Sequence, residues 1–203
     1  MKIIKRHKLS EKLNIKPVNL DKFAGVVPPQ ETVEINGTTW SAENAHATIG
    51  TDGTALEYGK DYFYPDNNED NVADFGLLYT YEAALRITPP GWRMPDMDTA
   101  RSLADFIGSD VVSLAVPGIW REHAGFGLPG SGGTFGRDRL GFHAVPAGHT
   151  VLGTGHALEF RTAANYFIYD SQQIFEIAFN SPRISFYETG HSNIACSVRF
   201  VKI

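Results

Sequence analysis

Seven histidines, one cysteine, a run of alternating acids and amides, and a glycine-rich loop are the groups in this chain that could carry chemistry. The histidines are His7, His46, His123, His143, His149, His156 and His191; none are paired at the i,i+4 spacing of a helical zinc site, and no H-E-x-x-H is present. Asp66, Asn68 and Asp70 alternate as oxygen ligands do in a calcium loop. Asn71 stands where that loop needs a turn glycine and Leu77 where it needs a bidentate glutamate, so a polar turn is the expected structure. Gly125-Phe126-Gly127-Leu128-Pro129-Gly130 spells the dinucleotide fingerprint, but no helical pattern follows it to receive a pyrophosphate. Ser131, in Pro129-Gly130-Ser131-Gly132-Gly133, lacks the first glycine of a nucleophile elbow. Cys196 lies between Ile194-Ala195 and Ser197-Val198, where it reads as a small apolar residue buried in a strand. With one cysteine there is no intramolecular disulfide. No catalytic residue, metal or cofactor is therefore expected, which favours a binding module over an enzyme.

The elements that must position any site are legible in part. Val33-Glu34-Ile35-Asn36-Gly37-Thr38-Thr39-Trp40 alternates apolar residues around Asn-Gly, the signature of a type I′ hairpin. Residues 51–74 read as a long polar loop. A helix is predicted over Tyr79–Ile87, stopped by Pro89-Pro90-Gly91. A second is predicted from Asp96, a capping residue, to Gly108, with Met97, Ala100, Leu103, Ala104 and Ile107 on its buried face. Residues 110–155 read as irregular, and the chain from Tyr166 onward as strands. Helices first and strands later make the fold class α+β.

The chain of 203 residues is 42% hydrophobic and 20% charged, an ordinary globular balance. Its net charge of −5 argues against nucleic acid or an anionic membrane as partner. Residues 1–22 carry seven basic residues against two acidic ones. Together with Val26-Val27-Pro28-Pro29-Gln30 they read as a basic N-terminal arm and Pro-rich connection over residues 1–30, ahead of a domain over 31–203. The arm is a candidate contact for oligomers. No apolar run of about 7–15 residues follows its charges, so neither a signal peptide nor membrane insertion is expected.

Five ordered segments resemble the Fibrobacter major paralogous domain family, a branch of the C-type-lectin-like fold. Thr39-Trp40-Ser41-Ala42-Glu43-Asn44 matches its T-W-M-A-E-N, and Phe75-Gly76-Leu77-Leu78-Tyr79-Thr80-Tyr81 its Y-G-x-L-Y-T-W. Thr88-Pro89-Pro90-Gly91-Trp92-Arg93-Met94-Pro95 matches C-P-x-G-W-H-L-P, and Gly141-Phe142-His143-Ala144-Val145-Pro146-Ala147-Gly148 matches G-F-S-A-L-P-G-G. Cys196-Ser197-Val198-Arg199-Phe200-Val201 resembles the closing F-S-V-R-C-V. The resemblance implies a C-type-lectin-like domain with two helices, small antiparallel sheets and long irregular loops, its first strand near Val33–Asn36 beside its last near Val198–Lys202. Trp40, Trp92 and Trp120 become core rings. The E-P-N, Q-P-D and W-N-D motifs of calcium-dependent sugar binding are absent.

More loosely, the chain resembles retroelement-diversified receptor-binding proteins of phages and prophages, whose varied positions lie near the C-terminus. This implies a non-catalytic domain, on a virion or a bacterial cell surface, that binds a cell-surface protein or glycan. A structural subunit of an adhesive fibre or virion is the alternative, and an enzyme ranks third. Strand alternation would turn Phe175, Ile177 and Phe179 inward and Glu176, Ala178 and Asn180 outward, then Ile184 and Phe186 inward and Ser185 and Tyr187 outward. Tyr166, Tyr169, Arg183, Tyr187, His191 and Asn193 are accordingly expected on one exposed, ligand-binding surface.

Overall fold

The computed structural model describes residues 28–121, 135–190 and 192–203. Nearly all of the basic arm, the glycine-rich loop with Ser131, and His7, His123 and His191 lie outside the described residues. The fold is mixed α and β, with few helices and several small antiparallel sheets. Among the described residues no helix is long and apolar enough to cross a membrane.

The Asn-Gly signal produces the expected hairpin. Strands β1 (Thr32–Ile35) and β2 (Thr38–Ser41) pair antiparallel around Asn36 and Gly37, whose φ values of 49° and 75° are those of a type I′ turn. The last strand, β12 (Val201–Lys202), pairs with β2 through Val201 and Trp40, and not with β1. On its other side runs Trp92–Arg93 (labelled β5 below), which completes the order β1-β2-β12-β5. The expected neighbourhood of first and last strands is thus corrected by one strand. Trp40 of β2, 1% exposed, is buried in one core cluster together with Ile35 of β1 and Val201 of β12.

Residues 51–74 hold more structure than a loop. They contain β3 (Tyr62–Phe63), two 3-10 turns (Pro65–Asn67 and Glu69–Asn71) and most of a short helix, α1 (Val72–Phe75). Asn68 Oδ1 accepts from the amide of Asp70, so the alternating polar residues stabilise turns. Tyr79 does not start a helix. It ends β4 (Leu78–Tyr79), paired with β3, and Thr80 caps α2 (Tyr81–Arg86) by accepting from the Ala83 amide. The next helix agrees with its signals. α3 (Met97–Ile107) begins at Asp96, whose carboxylate accepts from the Thr99 amide at 2.8 Å, and ends at Gly108 with φ 56°. Ala100, Leu103 and Ile107 are buried along it.

Three further strands form a sheet of order β10-β9-β8: β8 (Ala163–Phe167), β9 (Gln173–Ala178) and β10 (Ser185–Glu188). A further sheet of order β11-β6-β7 contains β6 (His149–Val151), β7 (His156–Leu158) and β11 (Ile194–Ala195). Two isolated parallel bridges, Gly148–Ala164 and Tyr166–Ser197, tie β8 to neighbouring chain.

One core cluster lies beneath the β10-β9-β8 sheet and includes Trp40, Phe142, Tyr166, Phe175 and Ile177. Tyr166 stacks on Phe175 at 4.9 Å, Trp40 meets Phe142 edge-on at 5.5 Å, and these contacts join the hairpin to the C-terminal sheet. A second cluster includes Tyr79, Trp92, Cys196, Val198 and Phe200, together with Phe167 and Ile174 from the other face of the same sheet. All three tryptophans are buried, as is Cys196.

At Gly148 a close approach requires glycine. Its φ is +69°, and a Cβ there would collide with the Leu158 carbonyl oxygen and lie 2.8 Å from the Phe160 nitrogen. Gly148→Ala should therefore lose about 3 kcal/mol from left-handed strain and overpacking together. Gly153, at φ +83° with nothing within 4 Å of its would-be Cβ, is the control, where alanine costs only about 1 kcal/mol. Urea unfolding of the two variants checks this, and equal midpoints would mean that the β7–β8 turn yields to the methyl group.

Candidate functional site

Register divides the β10-β9-β8 sheet into two faces. Asn165 pairs with Glu176 and Glu176 with Ser185; Phe167 pairs with Ile174 and Ile174 with Tyr187. Cross-strand neighbours share a face, so these residues lie on one side. Tyr166, Phe175 and Phe186 lie on the other, over the first core cluster. At one end, Phe167 and Ile174 are covered by the second cluster. The rest of that face opens into a cleft of about 390 Å³ whose lining includes His149, Glu159, Asn165, Glu176, Tyr187 and Thr189.

The polar groups reach the cleft from separate elements. Glu176 comes from the central strand, Asn165 from β8 and His149 from the start of β6. Glu159 follows β7 with φ 61°, a left-handed conformation that costs a non-glycine residue about 1–2 kcal/mol. Its carbonyl holds the turn by accepting from the Thr162 and Ala163 amides and from the Thr162 hydroxyl. The Glu159 carboxylate then accepts from Asn165 Nδ2 at 2.9 Å and meets His149 Nδ1 at 3.2 Å. The contact with His149, seconded by Asn165, holds the Glu159 carboxyl below its ordinary value despite partial burial.

Glu176 has the opposite environment. Burial first, and the neighbouring Glu159 charge second, push its carboxyl up to about 7, partly offset by a hydrogen bond from Tyr187. Near neutrality the cleft therefore holds one ionised carboxylate and a second that titrates. Asn165 is 1% exposed, and its Oδ1 has no hydrogen-bond partner. Cys196 is also buried, with its thiol pushed well above the ordinary value by burial and by Glu159, so it is poorly suited to act as a nucleophile. Among the described residues, no group of three His, Cys, Asp or Glu side chains could hold a metal ion.

The six residues expected on one surface separate. Tyr187 is 48% exposed and lines the cleft. Tyr169 in the β8–β9 turn, Arg183 before β10 and Asn193 before β11 are exposed but do not line it. Asn193 is engaged in its own turn, its side chain donating to the Thr189 carbonyl. Tyr166 is a correction: it is fully buried, because its register opposite Phe175 turns it into the core. His191 lies outside the described residues.

Outward alternation is corrected as well. Glu176 and Ala178 are buried although they point away from Phe175, because that part of the second face is recessed in the cleft. Phe179 and Phe186 are only partly buried. Glu159, Glu176, His149 and Asn165 were not foreseen as a site. The one local hint was Glu176, an acid placed among apolar residues of a strand.

The closing motif does different work. Arg199 is 1% exposed. Its Nε donates to Asn44 Oδ1 at 2.7 Å, and Nη1 and Nη2 donate to the carbonyls of Ser41, Phe142 and His143. Its guanidinium lies 4.7 Å from the Phe142 ring centroid. This side chain ties three of the sequence motifs into one buried knot.

A family model described as the Fibrobacter succinogenes major domain matches residues 33–202. No curated protein and no solved structure matches the chain.

Proposed function

Because this chain belongs to the Fibrobacter succinogenes major domain family, we propose that it is a non-catalytic binding domain of C-type-lectin-like architecture. Its ligand is a protein or glycan on a cell surface, and the contact is made on the open face of the C-terminal sheet and the adjoining loops. Adhesion to, or receptor recognition on, a bacterial surface by a phage- or prophage-encoded protein is the role that this reading implies. The observation that carries it is the cleft itself: a concave, partly polar site with an exposed tyrosine at its rim, built on a sheet whose other face is held by the core. The architecture is supported by a final strand inserted beside the N-terminal hairpin, with the helices earlier in the chain and small antiparallel sheets toward its end.

Tyr187 is the principal ligand-contact residue, with Tyr169, Arg183 and Asn193 as further exposed contacts on the adjoining loops. Tyrosine and arginine supply much of the energy at binding hot spots. The test is a glycan array and a cell-surface pull-down with the purified chain and its Tyr187→Ala and Arg183→Ala variants. Binding should weaken by about 2 kcal/mol or more for Tyr187→Ala. The urea midpoint should stay close to that of the parent, because both side chains are exposed. Variants that unfold while binding per folded molecule is unchanged would make the face structural. Concentration-dependent assembly in size-exclusion chromatography without any surface ligand would favour a fibre or virion subunit instead.

A further inference from the structure

The cleft has a bias in its chemistry. Glu159 and Glu176 present carboxyl oxygens, and Asn165 Oδ1, which can only accept, is buried without a partner. The Asn165 amide is already committed to Glu159, so the carbonyl oxygen is the part of this lining side chain that still lacks a partner. His149 Nδ1 is likewise engaged with Glu159. Ile174, Ala178 and Ile194 add apolar lining, with Phe179 and Tyr187 also at the cleft.

We propose that the cleft receives the cationic end of an arginine or lysine side chain presented by a protein partner. The proposal rests on the ligand-binding reading above and gives it a chemical class. A guanidinium offers five donors and no acceptor, which complements two carboxyl groups and an unpaired amide oxygen. Its positive charge offsets the repulsion between Glu159 and Glu176, which a neutral sugar hydroxyl cannot do. The methylene stem suits the apolar lining, and Tyr187 at the rim is an aromatic neighbour for the cation. A volume of about 390 Å³ is of side-chain size, near the lower end of small-ligand sites.

The groups facing Glu176 are Glu159 before β8, His149 on β6, Asn165 on β8 and Tyr187 on β10. Since Glu176 keeps its proton up to about pH 7, an incoming cation competes with that proton. Affinity should therefore rise between pH 5.5 and pH 8.

The experiment is a titration of the purified chain with butylguanidinium chloride at constant ionic strength, followed by amide NMR. N-butylurea serves as the uncharged control of similar shape. Saturable shifts are expected at residues around the cleft, with at least fivefold tighter binding at pH 8 than at pH 5.5, and none with N-butylurea. Glu159→Gln should weaken binding at least fivefold at pH 8, and Glu176→Gln should flatten the pH profile. If Glu159→Gln does not fold, Tyr187→Ala supplies the same test through the rim.

Equal shifts from N-butylurea, shifts away from the cleft, or a methyl glycoside binding there in place of the cation would each overturn the proposal. A Glu176→Gln variant with an unaltered pH profile would overturn the part given to Glu176. The titration needs no natural partner, so its failure leaves surface binding through Tyr187 standing. Conversely, a cleft that binds butylguanidinium in a chain that captures no surface ligand would mean that the broader reading had failed.

Discussion

Arg199→Met should lose about 3–5 kcal/mol of folding stability, much of what a domain of this size possesses. The substitution leaves Asn44 Oδ1 and the carbonyls of Ser41, Phe142 and His143 without their donors, in a region sealed from water. Burial lowers the Arg199 pKa somewhat, but an arginine remains charged there because its ordinary value is so high. Its positive charge is stabilised by carbonyl dipoles and by the rings of Phe142 and Tyr166. Arg199→Lys is no rescue: an ammonium has three donors on one atom and cannot span acceptors that a planar fork reaches. Urea unfolding of both variants decides the point. Losses below about 1 kcal/mol would show that water replaces the guanidinium readily and that the knot is not what joins the hairpin to the end of the chain.

Glu176→Gln should stabilise the domain at pH 8, with little effect near pH 4.5. The folded carboxyl titrates near 7, well above the 4.5 of an unperturbed glutamate, because ionisation is opposed by burial and by Glu159. A raised carboxyl pKa means that the folded state binds the proton more tightly. The stability it contributes is complete below about 4.5, falls as pH rises to about 7, and changes no further above that. The shift corresponds to at most about 3 kcal/mol across this window, and to less where solvent in the open cleft screens the carboxyl. Removing the ionisable group should flatten that part of the profile. Parallel profiles for parent and variant from pH 4.5 to pH 8 would contradict the environment described for Glu176.

These two residues show different degrees of legibility. Arg199 stood in a recognisable closing motif, yet nothing local announced that its side chain would turn inward. Its partners Asn44, Ser41, Phe142 and His143 are 56 to 158 residues away in the chain. Glu176 was read as facing away from Phe175, which is correct, and therefore as exposed, which is not. Period-two alternation separates the faces of a strand but does not reveal whether the second face is covered. The same limit explains Tyr166, an aromatic judged by its neighbourhood in sequence and placed by its register against Phe175.

What the sequence by itself determined was local or cumulative. Asn36-Gly37 tolerates positive φ and so sets the hairpin; Asp96 and Gly108 bound α3 because each satisfies or releases backbone groups at its own helix end. The five ordered motifs were enough to indicate the family, since each is a short stretch read in place. The tertiary structure alone decided that β12 lies beside β2, that the second face of the C-terminal sheet is covered at one end and recessed into a cleft over the rest, and that Glu159, Asn165, Glu176 and His149 share that cleft. Those outcomes depend on strand register and on burial by distant segments. Such long-range terms are set by the packing of the whole chain, and no window of neighbouring residues contains them.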